Sequence, residues 1–344
     1  MPSPNPSSWS LERWVDGFYE VYAIHDDKRR YSELWLPATS HASKVAEAVR
    51  RDDYELTLLS LSNVFAWLLS FAGRFIQDLE QSRAGREVMK MHGKTWTEWI
   101  LHKYPEVCHF CGGSRCTCAS IRDVVELRGK QKRAEYERLA KKRNKSVEDA
   151  YRKTMRWMKS SRISMPKLFD MFYNIYGGTL WGTDLSNIAY HFLEEIGEVS
   201  KEIHYLEGIV GGHDKNNWEQ YVEKHEVRQT RKWQQYYEVC ADVTRELADI
   251  FSWGTALCYK VRQLSNPTTK WQPREVLVLI YTGELKLCRE KRVSVVLGED
   301  KANFTCRYCS ESPCSKDCPQ NQITKRVHTG REETEKRYKY ETAK

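Results

Sequence analysis

Five carboxylates with helical spacing are the residues of this sequence best suited to chemistry. Glu194, Glu195 and Glu198 lie in one stretch of periodic apolar residues, and Glu246 and Asp249 lie in a second. Spacings of three and four residues place side chains on one face of a helix. Because aliphatic residues flank both motifs, we expect the carboxylates to face a neighbouring helix. Like charges repel and lose hydration there, which favours binding of a divalent cation such as Mg²⁺.

The two acidic motifs resemble those of a known family. Residues 194–199 read Glu-Glu-Ile-Gly-Glu-Val and residues 246–250 read Glu-Leu-Ala-Asp-Ile, which is similar to all-α nucleoside triphosphate pyrophosphohydrolases of the MazG type. The resemblance covers roughly residues 165–290. It implies a helical bundle that uses Mg²⁺ to cleave an NTP or dNTP between its α- and β-phosphates. The products would be a nucleoside monophosphate and pyrophosphate.

The resemblance also implies roles for individual side chains. Glu194 would position or deprotonate the attacking water, unless metal coordination alone activates it. Aromatic side chains would contact the base and lysines the phosphates, although core packing and surface charge are the respective alternatives. The implied Mg²⁺ ligands are Glu195, Glu198, Glu246 and Asp249. The candidate substrate contacts are Trp181, His191, Lys201, Trp253 and Lys260.

Two groups of cysteines have the spacing of structural metal sites. Four thiolates at short spacing close a tetrahedral zinc site without an open position, so we expect two structural Zn²⁺ ions. Reduced thiols are the alternative, or disulfides if the protein were exported. The first group is Cys108, Cys111, Cys116 and Cys118, and the second is Cys306, Cys309, Cys314 and Cys318. The remaining Cys240, Cys258 and Cys288 are expected in the core.

Three matched segments in the same order indicate an internal duplication. Their growing separation places an insertion within about 203–240, where 47 residues separate Glu198 from Glu246. Chance similarity between amphipathic helices is the alternative. The matched segments are 18–22 with 172–176, 61–67 with 247–253, and 108–111 with 306–309, at separations of 154, 186 and 198 positions.

The N-terminal copy has lost the acidic set. Aligning Glu47 with Glu198 leaves one acidic residue of the five. The other four positions hold Ser43, Lys44, Ser60 and Asn63. We therefore predict an intrachain pseudo-dimer with one working site, in the C-terminal copy. A homodimer of the whole chain is left open.

Helical periodicity with few Pro or Gly residues predicts an all-α fold. The chain has 344 residues, which is ample for a buried core. Apolar residues recur with helical spacing in 41–50, 56–78, 185–206 and 240–262. The predicted organisation is an N-terminal half (1–120), a basic linker (121–163), a C-terminal half (164–320) and a disordered tail (321–344).

The net charge of +8 is concentrated in the basic linker, which carries 15 Lys and Arg residues against six acidic ones. We predict a helix there from at least Gln131 to Lys159. Such a helix is either a solvated connector or a surface for nucleic acid. The alternative function is accordingly an inactive bundle that holds nucleic acid or a protein partner through this helix and the cysteine groups.

Location is predicted from what the sequence lacks. No apolar run approaches the roughly 20 residues that cross a bilayer. The start MPSPNPSSWS has no basic or apolar stretch and is not a signal peptide. We expect a cytoplasmic protein without a membrane partner, in which eleven cysteines are better suited to metal binding than to disulfides.

Overall fold

The computed structural model describes residues 9–108, 111–118, 130–158, 163–180, 183–209, 231–265, 295–297 and 304–306, together with Pro313, Ser315 and Cys318. Within these residues the fold is mainly helical, as predicted, with nine helices and one strand pair. The helices are α1 (Leu11–Asp26), α2 (Tyr31–Arg50), α3 (Tyr54–Gln81), α4 (Arg83–His92), α5 (Trp96–Lys103), α6 (Lys130–Met158), α7 (Met165–Leu180), α8 (Leu185–Ile209) and α9 (Arg231–Leu264).

Short polar side chains set the starts of several helices. Ser10, Asp53 and Thr95 precede α1, α3 and α5, and each accepts a hydrogen bond from the backbone N–H three residues ahead, at 2.9–3.2 Å. Such caps satisfy backbone donors that have no partner inside the helix. The cap at Thr95 sets the start of α5, and the N–H of Tyr104 donates to the Ile100 carbonyl at its end.

Two pairs of long helices form the centre of the molecule. The most extensive packing joins α2 with α3 and α8 with α9, and α2 also lies along α8. Trp35 of α2 donates its indole N–H to Ser200 Oγ of α8 at 2.8 Å. The apolar spacing that predicted these helices therefore also supplies the faces that pack together.

One hydrophobic core runs through both halves of the chain. Phe65 of α3 and Phe251 of α9 meet edge to face, with ring centroids 5.8 Å apart. Gly254 makes this approach possible, because a Cβ there would lie 2.8 Å from the Phe65 ring. Burying each such ring contributes about 2 kcal/mol. The predicted N-terminal and C-terminal halves thus pack on a common core.

A buried polar network ties α1, α2 and α3 together. Arg74 donates from Nε to Asp78 Oδ2 and from Nη1 to the Asp26 carbonyl, each at 2.6 Å. Tyr31 donates its hydroxyl to the same Asp78 oxygen at 2.6 Å. The Asp26 carboxylate accepts from Ser70 and also pairs with Arg29. We call these six residues the N-terminal network.

The basic linker is helical from Lys130 to Met158, in agreement with the predicted span from Gln131 to Lys159. This helix packs against α5. The ring of Tyr151 meets the imidazole of His102 with centroids 4.9 Å apart. Residues 121–129 and 159–162 lie outside the described residues.

The acidic helices are longer than predicted. Helix α8 extends from Leu185 to Ile209 and α9 from Arg231 to Leu264. The two ends of the predicted insertion, 203–209 and 231–240, are therefore helical, and residues 210–230 lie outside the described part of the chain.

Two short strands accompany the helices. Strand β1 (Val295–Leu297) pairs antiparallel with β2 (Phe304–Cys306), and Val296 stands opposite Thr305. Strand β2 packs against α1. Residues 295–297 read Val-Val-Leu, and β-branched residues suit a strand, but a run of three is too short for a periodic signal. The predicted tail, 321–344, lies outside the described residues.

The expectation that no segment is apolar enough for a membrane span is wrong for α3. By length and composition Tyr54–Gln81 is such a segment, and it is the only one found among the described residues. In this structure 78% of its most apolar window is buried inside the protein. Core helices of folded domains commonly have this composition.

Candidate functional site

The two predicted acidic helices face each other and bring their carboxylates together. Glu195 and Glu198 come from α8, and Glu246 comes from α9. One carboxylate oxygen from each lies within 4.8 Å of the others, so the three can hold one metal ion. Spacing along single helices predicted each half of this group, and the packing of α8 on α9 completes it.

Electrostatics make the group unfavourable without a cation. Burial, followed by the charges of the neighbouring acids, raises the pKa of Glu195 to about 8. Burial also raises the pKa of Glu246 to about 7, although Lys103 opposes the rise. The Oε2 atom of Glu246 is buried and has no hydrogen-bond partner among the described residues. Without a metal, the pair therefore holds protons to a higher pH than isolated carboxyl groups would.

Asp249 is held by residues of the N-terminal half. Lys103, at the end of α5, forms an ion pair with one carboxylate oxygen, and the hydroxyl of Tyr104 donates to the other. Asp249 is only 8% exposed. It lies close enough to Glu195 to raise the pKa of that carboxyl, but it is outside the group of three that can share one ion. Sequence reasoning missed both partners.

Tyr104 is fixed by aromatic contacts with α7. Its ring centroid lies 5.2 Å from that of Phe172 and 6.2 Å from that of Tyr176. Burial and the adjacent Asp249 charge raise its pKa well above the usual value. The hydroxyl consequently stays protonated and remains a hydrogen-bond donor to Asp249.

Two of the predicted aromatic contacts lie beside the carboxylates. Trp253 donates its indole N–H to Glu195 at 3.2 Å, and His191 stacks on the Trp253 ring with centroids 4.7 Å apart. His191 Nδ1 lies 3.0 Å from Glu194, which is exposed and outside the group of three carboxylates. Trp181 lies outside the described residues.

The two candidate lysines have different surroundings. Lys201 is exposed, and its Nζ lies 3.1 Å from Glu202. Lys260 is 7% exposed, so the surface-charge alternative is excluded for it. Glu202, and to a smaller extent Glu198, raise the pKa of Lys201. Lys103 acts on the acidic group from α5, where its charge opposes the raised pKa of Glu246.

The first cysteine group converges as predicted. Cys108 Sγ lies 3.7 Å from Cys116 Sγ and 3.6 Å from Cys118 Sγ. With Cys111, the sulfurs lie within 4.8 Å of one another and can hold a metal ion. Burial raises the pKa of the Cys118 thiol to about 12. A bound cation would be needed to stabilise thiolates in this position.

Backbone geometry closes the loop around these sulfurs. The N–H of Gly112 donates to the Cys108 carbonyl at 2.7 Å, with Gly112 in the left-handed region at φ +69°. The N–H of Thr117 points to Cys111 Sγ at 3.5 Å. The loop is tied to α7 by a 2.7 Å bond from Cys116 N–H to the Ile175 carbonyl.

The second cysteine group falls mostly outside the described residues. Cys309 and Cys314 are not among them, whereas Cys306 ends β2 and Cys318 is buried. Among the other cysteines, Cys240 and Cys258 are buried as expected, and Cys288 lies outside the described part.

Comparisons with known proteins returned no relatives. No family model matches the chain, and no curated protein or solved structure matches it. The site described above therefore carries the functional argument.

Proposed function

We propose that this protein is a Mg²⁺-dependent nucleotide pyrophosphohydrolase with one active site between α8 and α9. It would cleave an NTP or dNTP between the α- and β-phosphates. The observation that carries the proposal is the convergence of Glu195, Glu198 and Glu246 from two helices to within 4.8 Å. Acids this close, two of them half-buried, are costly unless a cation compensates them, and oxygen ligands suit Mg²⁺. The MazG-like motifs supply the reaction class.

The protein groups have separable roles in this proposal. Mg²⁺, when bound, neutralises phosphate charge and lowers the pKa of water. Trp253 orients Glu195 through its indole N–H, and Lys103 and Tyr104 orient Asp249. Glu194 is the acid that remains outside this set, paired with His191, and is the candidate to position the attacking water. The stacked ring of His191 offers a planar surface next to the acids for a nucleobase.

We assign Zn²⁺ to the first cysteine group and extend that assignment to the second from its spacing. Four sulfurs within 4.8 Å and a backbone N–H directed at one of them fit a closed tetrahedral site. Elemental analysis of the purified chain would test this. Two zinc ions per chain are expected, and Cys108→Ser should remove one and lower the melting temperature.

Pairing of equivalent residues supports the duplication. Residues related by a two-fold axis can meet their own counterparts on that axis. Ser10 and Ser164, separated by 154 positions, form an antiparallel bridge. Phe65 and Phe251, separated by 186, are in ring contact. Both separations are those of the sequence matches, which favours an internal pseudo-dimer.

The buried residues of α2 and α8 change how the N-terminal copy aligns with the acidic positions of the C-terminal copy. All seven buried residues of α2 fall on buried residues of α8 at a separation of 154. The alignment through Glu47 used a separation of 151 and is displaced by three residues. At 154, His41 and Lys44 stand opposite Glu195 and Glu198. The N-terminal copy then has no acid at any of the five positions, because Ser40, Ser60 and Asn63 hold the others.

A binding function is the second candidate, and one contact favours it. Ser146 of α6 donates to the Gly112 carbonyl at 2.7 Å, so the basic helix and the first cysteine group form one surface. Lys141, Lys142 and Lys145 are exposed on that helix. Such a surface suits the phosphates of a nucleic acid.

Pyrophosphate release separates the two candidates. A panel of NTPs and dNTPs with Mg²⁺ should yield pyrophosphate from at least one nucleotide. Glu246→Gln should abolish that release while the melting temperature is maintained, and Glu47→Gln is the matched control. Absence of release across the panel, with Glu198→Gln behaving like the unmodified chain, would favour the binding function.

A further inference from the structure

Asp249, the fourth of the implied Mg²⁺ ligands, is already neutralised by other residues of the protein. Both oxygens of Asp249 are engaged, one by the Lys103 ammonium and the other by the Tyr104 hydroxyl. The Lys103 and Asp249 side chains are 20% and 11% exposed. This partial burial limits screening of the ion pair by salt.

The remaining three carboxylates match a single ion. Glu195, Glu198 and Glu246 converge on one point, and Asp249 does not share it. Four carboxylates on facing helices carry enough charge for two divalent cations, and two-metal phosphate-cleaving sites place their ions about 3.5–4 Å apart. A second ion would require Asp249 as a ligand. In this protein the Lys103 ammonium already pairs with that carboxylate.

Lys103 is held in that place from several directions. The next residue, Tyr104, packs on Phe172 of α7. Four residues after Tyr104 the chain reaches Cys108, whose loop is bonded to Ile175 of the same helix. An ammonium is a compact point charge that can stand in for a small cation, and these contacts fix its approach to α9.

We propose that Lys103 is a permanent cation of the site, which takes the place of a second metal ion and limits the site to one divalent cation. The inference rests on the proposed function, because it requires that Glu195, Glu198 and Glu246 bind the first ion. It goes further in assigning Asp249 to Lys103 and not to the metal. The N-terminal half thereby contributes a charged group to the site.

Manganese binding to the full zinc-loaded chain tests the inference. Mn²⁺ prefers oxygen ligands and can be counted by electron paramagnetic resonance and by calorimetry. One Mn²⁺ per chain is expected for the unmodified protein. Lys103→Met, which keeps the length of the side chain, should bind two, with Kd values within about tenfold of each other. Lys90→Met, which removes an exposed lysine of α4 that pairs with Glu87, should still bind one.

A second variant covers the case in which Lys103→Met fails to fold. Asp249→Asn removes the partner of Lys103 and retains an acceptor for Tyr104. It should bind one Mn²⁺ with a Kd within about threefold of the unmodified value. A Kd raised more than about tenfold would make Asp249 a ligand of the single ion and overturn the inference.

The remaining outcomes distinguish the inference from the proposed function. Two Mn²⁺ ions in the unmodified chain would overturn the inference and leave the proposed function in place. One ion in both the unmodified chain and a folded Lys103→Met, at equal Kd, would do the same. No Mn²⁺ binding by the unmodified chain would contradict the proposed function itself.

Discussion

Carboxylates come together in two regions of this protein, and their surroundings differ. In the N-terminal network, Asp26 and Asp78 are compensated within the protein by Arg29, Arg74 and hydroxyl donors. Between α8 and α9, Glu195, Glu198 and Glu246 face one another, and the charge of Lys103 acts on Glu246. The acids of the first region form ion pairs with arginines, whereas those of the second group together, and we expect an added cation to stabilise them.

The difference shows how a binding site can be distinguished from a structural network of similar composition. Burial raises the pKa of Asp26 to about 6, and Arg29 and Ser70 limit the rise. The pKa of Glu195 reaches about 8 because its neighbours are also acids. Unfavourable charge that the fold does not neutralise is typical of functional positions.

The largest effect on stability is expected from Arg74→Met. Loss of the guanidinium would leave Asp78 and Asp26 buried without their shared donor, which should cost about 3–5 kcal/mol in the free energy of unfolding. Chemical denaturation would measure it. Arg51→Met, which breaks the exposed pair with Glu47, is the control and should cost less than about 1 kcal/mol. Equal losses of unfolding free energy in Arg74→Met and Arg51→Met would contradict the view that Arg74 compensates buried carboxylates.

Tyr31→Phe and Tyr104→Phe compare equivalent hydroxyls in the two regions. Each removes one hydrogen bond to a buried carboxylate, so each should destabilise the protein by about 1–2 kcal/mol. Mn²⁺ affinity should change by less than about threefold in both variants, because Asp249 is assigned to Lys103 and not to the bound ion. A change in Mn²⁺ affinity in Tyr31→Phe would contradict the separation of the two regions.

The pH dependence of stability is a smaller effect with a defined sign. Folded Glu195 binds a proton with a pKa of about 8, and its ordinary value is 4.5. The metal-free folded state therefore holds more protons than the unfolded state, and stability falls as pH rises through this window.

Glu195→Gln should remove this contribution. At pH 8 the metal-free variant should be more stable than the unmodified chain by up to about 1 kcal/mol, allowing for solvent screening of a half-buried group. Thermal melts between pH 5 and pH 8 would show a flatter dependence. Saturating Mg²⁺ should stabilise the unmodified chain at pH 8 and leave the variant unchanged. A steeper pH dependence in the variant would contradict the raised pKa.

Glu47→Gln is expected to have the smallest effect. Glu47 is exposed and pairs with Arg51 on the surface of α2, so the change in unfolding free energy should stay within about 0.5 kcal/mol. Mn²⁺ affinity and turnover should be unchanged. A loss of turnover at an unchanged melting temperature would show that the N-terminal helix pair contributes an acid to the chemistry.

Local patterns predicted the helices and the acids that those helices carry. Apolar residues at spacings of three and four predicted α8 and α9, and the same spacing placed Glu195 and Glu198 on one face. The cysteine group at 108–118 was predicted equally well, because its ligands are close in sequence. In each case the interacting residues lie within a few turns of one another.

Contacts between residues far apart in the sequence could not be predicted from local spacing. Lys103 and Tyr104 reach Asp249 across 146 and 145 positions, and no periodic signal relates residues so far apart. Under the proposed duplication, matching Glu47 with Glu198 set α2 three residues out of register with α8, because one acidic match was preferred to the apolar spacing. With the separation of 154, buried Ala42 and Val45 align with buried Ile196 and Val199.

The contacts of Lys103 and Tyr104 with Asp249 affect any attempt to produce this protein as two separate fragments. A cut within 121–129 would place Lys103 and Tyr104 on one polypeptide and the acidic helices on the other. Neither fragment would carry the complete set of charges, and each would expose its face of the common core. An experiment with split fragments would therefore require both pieces together. By the same contacts, substitutions at Lys103 or Tyr104 are constrained by Asp249 in the other half of the chain.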